Sequence, residues 1–84
     1  MKLLKFSATW CGPCKQLATV LSKMTLPCEL EDIDVDENSD LAAMYGVRGV
    51  PTLMLTEDDG TVIDRLVGSN SEQAVANWIA ANTK

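Results

Sequence analysis

Two cysteines separated by two residues are the side chains in this sequence best suited to do chemistry. They are Cys11 and Cys14, within the segment WCGPC at positions 10–14. The segment follows an apolar run and opens a helical pattern, and the free N–H groups and positive dipole end of a helix N-terminus favour a thiolate over a thiol. A second thiol one turn away can close a disulfide. The spacing indicates thiol–disulfide exchange, although by itself it also allows a metal ligand or a structural bridge.

The bulk composition restricts the kinds of partner. The chain has 84 residues and a net charge of −5, which predicts one domain over residues 1–84 and argues against nucleic acid or an anionic membrane as a partner. No apolar run approaches the ~20 residues of a membrane span. Acidic residues are concentrated between positions 29 and 40, and such a cluster is most often a solvated face.

The number of cysteines and the absence of histidine indicate whether the chain binds a metal ion and in which cellular compartment it works. Three cysteines and no histidine fall short of the four ligands of a closed structural zinc site, so we expect no bound metal or cofactor beyond the Cys11–Cys14 couple itself. The odd count also argues against a disulfide framework and favours a cytoplasmic setting. Cys28 follows Pro27 and is expected to be a small buried hydrophobe, with a regulatory thiol or an intermolecular disulfide as the alternative.

The hydrophobic pattern predicts an α/β fold in the order β-α-β-α-β-β-α. We expect four strands, at 2–8, 28–35, 51–55 and 62–67. The first two are parallel and joined by a crossover helix, and the last two form a hairpin, so the sheet is mixed, is flanked by helices and has the second strand at an edge.

Each helix is expected to bury one stripe of apolar residues. The first is expected to run from the cysteine motif to Pro27, and the second to end at Gly46. The predicted stripes are Leu17, Val20, Leu21 and Met24 in the first helix, Leu41, Met44 and Tyr45 in the second, and Val75, Trp78 and Ile79 in the third.

Three motifs in order make the chain resemble the thioredoxin family. They are WCGPCK at 10–15, YGVRGVPT at 45–52 and VG at 67–68, and the match covers nearly the whole chain. The resemblance implies a thioredoxin-like fold, reduced here to four strands because the N-terminal strand and helix of longer thioredoxins are absent from this sequence.

The resemblance also implies roles for individual residues. Cys11 is the nucleophile that forms a mixed disulfide with the substrate, and Cys14 is the resolving thiol that attacks Cys11. The bond between Val50 and Pro51 is expected to be cis. An extended substrate segment is expected to pair with the backbone of Val50 like an added strand. The substrate-binding residues implied are Trp10, Gly12, Pro13, Gly49, Val50 and Gly68.

The uncharged pair Gly12-Pro13 between the cysteines places the chain at the reducing end of this family. The implied activity is protein-disulfide reduction by a monomer that carries electrons from a thioredoxin reductase-type donor to protein disulfide substrates. Two alternatives remain open. A glutaredoxin-like thiol transferase is suggested by the short length, and a thioredoxin-fold subunit of a larger assembly would use the same surface for binding alone.

One departure from the family pattern concerns two ionisable residues. Thioredoxins usually carry a buried aspartate in the first strand and a lysine on the neighbouring strand, whereas Lys5 and Asp32 occupy these positions in the opposite order. Our hypothesis is that Asp32 held by Lys5, or a neutral Lys5, takes the proton from the resolving thiol. The alternative is that Lys5 extends to solvent and Asp32 is one more acid of an edge strand.

Overall fold

The computed structural model describes residues 1–83, and within them the predicted order β-α-β-α-β-β-α is confirmed. The elements are β1 Lys2–Ser7, α1 Gly12–Ser22, β2 Glu29–Asp34, α2 Ser39–Met44, β3 Thr52–Thr56, β4 Val62–Val67 and α3 Glu72–Asn82. None of the helices described is long and apolar enough to cross a membrane.

The four strands form one mixed sheet in the order β2-β1-β3-β4. Strand β1 pairs in parallel with β2 and antiparallel with β3, and β3 pairs antiparallel with β4. The predicted edge position of β2 is therefore confirmed. The parallel register places Lys5 directly opposite Asp32 and Ser7 opposite Asp34, so these four side chains share one face of the sheet.

Two layers of core lie on opposite faces of the sheet, as alternation along β1 requires. Leu3 packs with residues of α1 and α3, whereas Leu4 and Phe6 pack on the side of α2. Lys5 is two residues from Leu3 and therefore lies on the α1 face. The middle of β1 thus places a lysine in a buried layer beneath the helix that carries the cysteines.

Helix α1 ends at Ser22, so the expectation that it extends to Pro27 is wrong. Near its end, the hydroxyl of Thr19 donates to the carbonyl of Lys15 at 3.1 Å, and that of Ser22 donates to the carbonyl of Thr19 at 2.7 Å. Hydroxyls that bond backbone carbonyls compete with helical hydrogen bonds. Beyond the helix, Met24 still packs against the core as expected.

The inward position predicted for Met44 in α2 is also wrong, because this side chain is 71% exposed. The residues of this short helix region that face the sheet are Leu41, Ala42 and Tyr45, with Ala42 buried. Successive residues of a helix lie about 100° apart, so a face that contains Leu41, Ala42 and Tyr45 leaves Met44 to one side of it, toward solvent.

Helix α3 starts at a side-chain cap and is attached to β4. The hydroxyl of Ser71 accepts the backbone N–H of Ala74 at 3.1 Å, which satisfies one of the free donors of the first turn. Val75 and Ile79 are buried as predicted. Trp78 is only partly buried, because its indole N–H reaches the carboxylate of Asp64 on β4 at 2.9 Å.

Candidate active site

The two cysteines lie at the start of α1, where the chain leaves β1. Cys11 is the N-cap residue, and its Sγ accepts the backbone N–H of Cys14 at 3.1 Å. Pro13 lies in the first helical turn, where its missing N–H leaves no donor unpaired. A sulfur at this position accepts a backbone N–H and faces the positive end of the helix dipole, both of which favour the thiolate.

The two sulfurs are joined as a disulfide, with the Cα atoms 5.2 Å apart. Both residues are almost fully enclosed, with exposures of 4% for Cys11 and 3% for Cys14. They pack with Ala8, and the half-buried Val35 and Val50 complete the cluster. The disulfide is thus held in an apolar setting that excludes water from most of its surface.

The segment before β3 is fixed next to this cluster. Val50 packs on the disulfide, and the bond between Val50 and Pro51 is cis, as the resemblance implies. The carbonyl of Pro51 accepts the N–H of Gly68 at 2.9 Å, which joins the start of β3 to the end of β4. Gly68 has a φ of +99°, a backbone conformation that favours glycine.

The surface around the disulfide is shallow and mostly exposed. Trp10 is 69% exposed, and its indole N–H donates to Asp36 at 2.8 Å, which fixes the ring beside Cys11. Gly12, Pro13 and Gly49 are exposed, and Gly68 is half-buried. Between Trp10 and Val50 lies a cavity of about 160 Å³, also lined by Val35, Ala42, Val47, Arg48 and Gly49.

Comparison with known proteins gives this arrangement a family. The family model described as Thioredoxin matches residues 1–81. The chain belongs to the thioredoxin family. It is 40% identical to the thioredoxin of Pseudomonas aeruginosa, in an alignment that covers 95% of this chain and 77% of that protein. It is 40% identical to a thioredoxin of Staphylococcus aureus, in an alignment that covers 90% of this chain and 76% of that protein.

Solved thioredoxin structures have the same fold. A mutant thioredoxin from Halobacterium salinarum superposes with a TM-score of 0.88 at 42% identity and covers 99% of this chain and 74% of its own. The thioredoxin of Fasciola hepatica superposes with a TM-score of 0.82 at 34% identity. The match covers 98% of this chain and 80% of the Fasciola hepatica chain. The chain therefore spans about three quarters of the thioredoxins it matches.

The lysine and aspartate that depart from the thioredoxin pattern meet as an ion pair. The ammonium of Lys5 lies 2.7 Å from a carboxylate oxygen of Asp32. The side chain of Lys5 is 9% exposed and that of Asp32 63%. The lysine is therefore inside the protein, and its counterion is at the edge of the sheet.

A cavity of about 180 Å³ lies beside the resolving cysteine, with both charged and apolar residues in its lining. Helix α1 contributes Cys14, Lys15 and Ala18 to its lining, and β1 and the residues after it contribute Lys5, Ser7, Ala8 and Thr9. Asp34, at the end of β2, completes the lining. Asp32 is not part of this lining.

Two acidic residues of the site were not predicted from the sequence. Asp36 holds the Trp10 indole, and Asp34 faces the cavity under Cys14. Both belong to the acidic run that the sequence analysis assigned to a solvated face. The signal that could have found Asp34 is the two-residue period of a strand, which places it on the same face as the residue opposite Lys5.

Cys28 lies apart from the disulfide and is partly buried against the core layer of α1 and α3. Burial raises the pKa of its thiol above the ordinary value, and the nearby N-terminal ammonium opposes this shift. Among residues 1–83, no group of three or more His, Cys, Asp or Glu side chains is placed to hold a metal ion.

Proposed function

We propose that this chain reduces protein disulfides by cycling Cys11 and Cys14 between the dithiol and the disulfide. The observation that carries the proposal is the hydrogen bond from the Cys14 N–H to the Cys11 sulfur at the N-cap of α1. This contact distinguishes the two thiols, since only the sulfur of Cys11 is at the helix N-terminus. Cys11 is therefore the attacking thiolate and Cys14 the resolving thiol.

The reaction takes two exchanges. The thiolate of Cys11 attacks one sulfur of a client disulfide, a bond forms between the two sulfurs, and the client's other sulfur leaves as a thiolate that takes a proton from solvent. Cys14 then loses its proton and attacks the Cys11 sulfur. The client's first sulfur leaves, the Cys11–Cys14 disulfide forms, and the client has gained two electrons.

The surface around the disulfide fits an extended client segment. We propose that the backbone of Val50 pairs with this segment as an added strand would, because Val50 packs on the disulfide and precedes β3. The exposed side chain of Trp10 forms one flank, and the exposed backbone of Gly49 allows close approach. Gly12, Pro13 and Gly68 complete the contact surface.

Continued turnover requires a source of electrons. We propose a thioredoxin reductase-type donor that returns the Cys11–Cys14 disulfide to the dithiol, protein disulfides as substrates, and a monomer as the working form. A cytoplasmic setting suits this role, because thiols are kept reduced there.

We retain the Lys5–Asp32 pair as part of the proposed machinery. The support is that Lys5 lines the cavity under Cys14 while its ammonium contacts Asp32. The pair would fix a positive charge beneath the resolving thiol and so favour its thiolate.

Reduction of insulin disulfides with dithiothreitol as electron source tests the proposed function. We expect Cys11→Ser and Cys14→Ser each to lose at least about 100-fold in catalysed rate, since each removes one exchange step. Cys28→Ser is the matched control, because its sulfur is remote from the disulfide, and it should retain the wild-type rate. Insulin reduction that survives in a Cys11→Ser/Cys14→Ser variant would refute the proposal and favour a binding module.

A further inference from the structure

The resolving step requires Cys14 to lose a proton inside the protein. Cys14 is 3% exposed and packs with Ala8 in the apolar cluster around the disulfide. A buried thiol holds its proton more firmly than one in water. The groups that line the cavity beside Cys14 are therefore the side chains placed to receive this proton.

Among the described residues that line this cavity, Asp34 supplies the carboxylate. Its Oδ1 accepts the backbone N–H groups of Asp36 at 2.8 Å and Glu37 at 3.4 Å, and these are the hydrogen bonds that its carboxylate makes among the residues described. The Oδ2 atom remains available to a proton. The volume of about 180 Å³ is far above the roughly 15 Å³ that one water needs, so water can connect Asp34 with Cys14.

The aspartate that pairs with Lys5 is placed differently. Asp32 is 63% exposed, lies at the edge of the sheet and does not line the cavity. Lys5 lines the cavity, but it is bound to Asp32 at 2.7 Å. An ammonium with three protons has no lone pair to accept another. Of the three candidates, Asp34 alone combines a free acceptor atom with access to the cavity of Cys14.

We propose that Asp34 accepts the proton of Cys14 during resolution of the mixed disulfide. This rests on the proposed function. The Cys14 S–H bond breaks, and the proton passes through the cavity to Oδ2 of Asp34. The Cys14 sulfur then bonds to the Cys11 sulfur, and the client thiolate that leaves takes up a proton from solvent. Asp34 afterwards releases its proton to solvent, with no net change in its charge.

Charged groups from three elements surround this carboxylate. Lys5 of β1 and Lys15 of α1 line the same cavity, and Asp32 precedes Asp34 on the same face of β2. Asp36 and Glu37 follow it and donate their backbone N–H groups to it. Two lysines and two backbone donors therefore surround the carboxylate that the proposal makes the proton acceptor.

A stopped-flow reaction with one equivalent of 4,4′-dithiodipyridine separates the two steps, because each releases one thiopyridone. The protein would carry Cys28→Ser, so that only Cys11 and Cys14 react. The first phase reports attack by Cys11 and the second reports resolution by Cys14. If the protein that carries only Cys28→Ser shows no second phase, the proposed function itself is refuted, independently of Asp34.

Asp34→Asn keeps an oxygen that can accept the N–H groups of Asp36 and Glu37 but removes the proton acceptor. We expect the second phase to slow at least about tenfold at pH 7 with the first phase unchanged, a lower bound for a lost general base. Acetate should restore the second phase in proportion to its concentration, which a merely structural defect would not allow. Asp34→Ser, which also retains an acceptor for these N–H groups, should behave in the same way.

Glu31→Gln is the matched control, because it lies on the same strand with its side chain outside the cavity, and it should leave both phases unchanged. An Asp34→Asn second phase that slows less than tenfold, or that accelerates because a negative charge near the thiolate is gone, overturns the inference. A second phase that slows in Asp32→Asn and stays unchanged in Asp34→Asn also overturns it and returns the role to Asp32.

Discussion

Lys5 and Asp32 form an ion pair across two neighbouring parallel strands, with the lysine inside the protein and the carboxylate at the edge of the sheet. Their Nζ and Oδ1 atoms lie 2.7 Å apart, with side-chain exposures of 9% and 63%. The positive charge is therefore the enclosed member of the pair. The pattern of the thioredoxin family implies an aspartate at the position of Lys5, so the polarity beneath Cys14 is reversed in this chain.

Removing one member of this pair is expected to have a different effect from removing the other. Asp32→Ala leaves the enclosed Lys5 ammonium without its counterion and should lower the free energy of unfolding by about 1–2 kcal/mol, less than for a fully buried pair because Asp32 is mostly exposed. Lys5→Met replaces the charge with an apolar chain of similar length and should cost less. Urea unfolding measures both variants, and a greater loss in Lys5→Met would contradict this account.

Arg65 connects β4 to the end of α2. Its guanidinium donates to the carbonyls of Tyr45 at 2.8 Å and Gly46 at 3.3 Å, where a cation also complements the negative end of the helix dipole. We expect Arg65→Met to lower the free energy of unfolding by about 1–2 kcal/mol. The control is Arg48→Met, which should change it by less than about 0.5 kcal/mol because Arg48 is exposed. Equal losses in the two variants would exclude the proposed link.

Asp64 connects β4 to α3 in a manner that depends on pH. The pKa of its carboxyl lies below the ordinary value because it accepts the backbone N–H of Arg65, the indole N–H of Trp78 and the amide of Asn82. Because the pKa of Asp64 is lower in the folded state, its ionised carboxylate stabilises the fold at pH values above the unfolded-state pKa of ~3.9. This stabilisation is lost as the pH falls through the folded-state pKa. Asp64→Asn should therefore be less stable than wild type at pH 7.

Urea unfolding between pH 7 and pH 2 tests this dependence. The difference between wild type and Asp64→Asn should shrink as the pH falls below ~3.9, whereas Glu29→Gln on exposed strand β2 should show no comparable trend. A difference that stays constant across this range would show that Asp64 acts through packing alone.

The third thiol is expected to be slow to react. Burial raises the pKa of Cys28, so less thiolate is present at neutral pH. In the reduced protein at pH 7.5, iodoacetamide should label Cys28 at least about tenfold more slowly than Cys11, as peptide mapping by mass spectrometry would measure. Faster labelling of Cys28, or a disulfide-linked dimer after mild oxidation, would favour the alternative of a regulatory thiol.

Local motifs explain why the sequence located the redox centre. Cys11 and Cys14 are three residues apart, and a helix N-terminus brings such neighbours together whatever the rest of the chain does. The parallel pairing of the first two strands and the hairpin of the last two followed from connection lengths and turn signals. Pro51 is distant in sequence, and it was assigned through the resemblance to thioredoxins.

Tertiary contacts and side-chain competition explain what the sequence did not predict. The end of α1 depends on whether Thr19 and Ser22 bond to the backbone or to water. Met44 lies in a helix region too short for periodicity to define its buried face. Asp34 belongs to an acidic run whose members look alike, and only the pairing of β2 with β1 determines which of them face α1.

The most direct test of the central claim, that Cys11 attacks and Cys14 resolves, is to trap the mixed disulfide. Reduced Cys14→Ser protein mixed with insulin should form a covalent adduct through Cys11, visible by intact mass spectrometry and released by dithiothreitol. Cys11→Ser protein should form at least about tenfold less adduct under the same conditions. Equal adduct from the two variants, or adduct only from Cys11→Ser, would contradict the assignment of the two sulfurs.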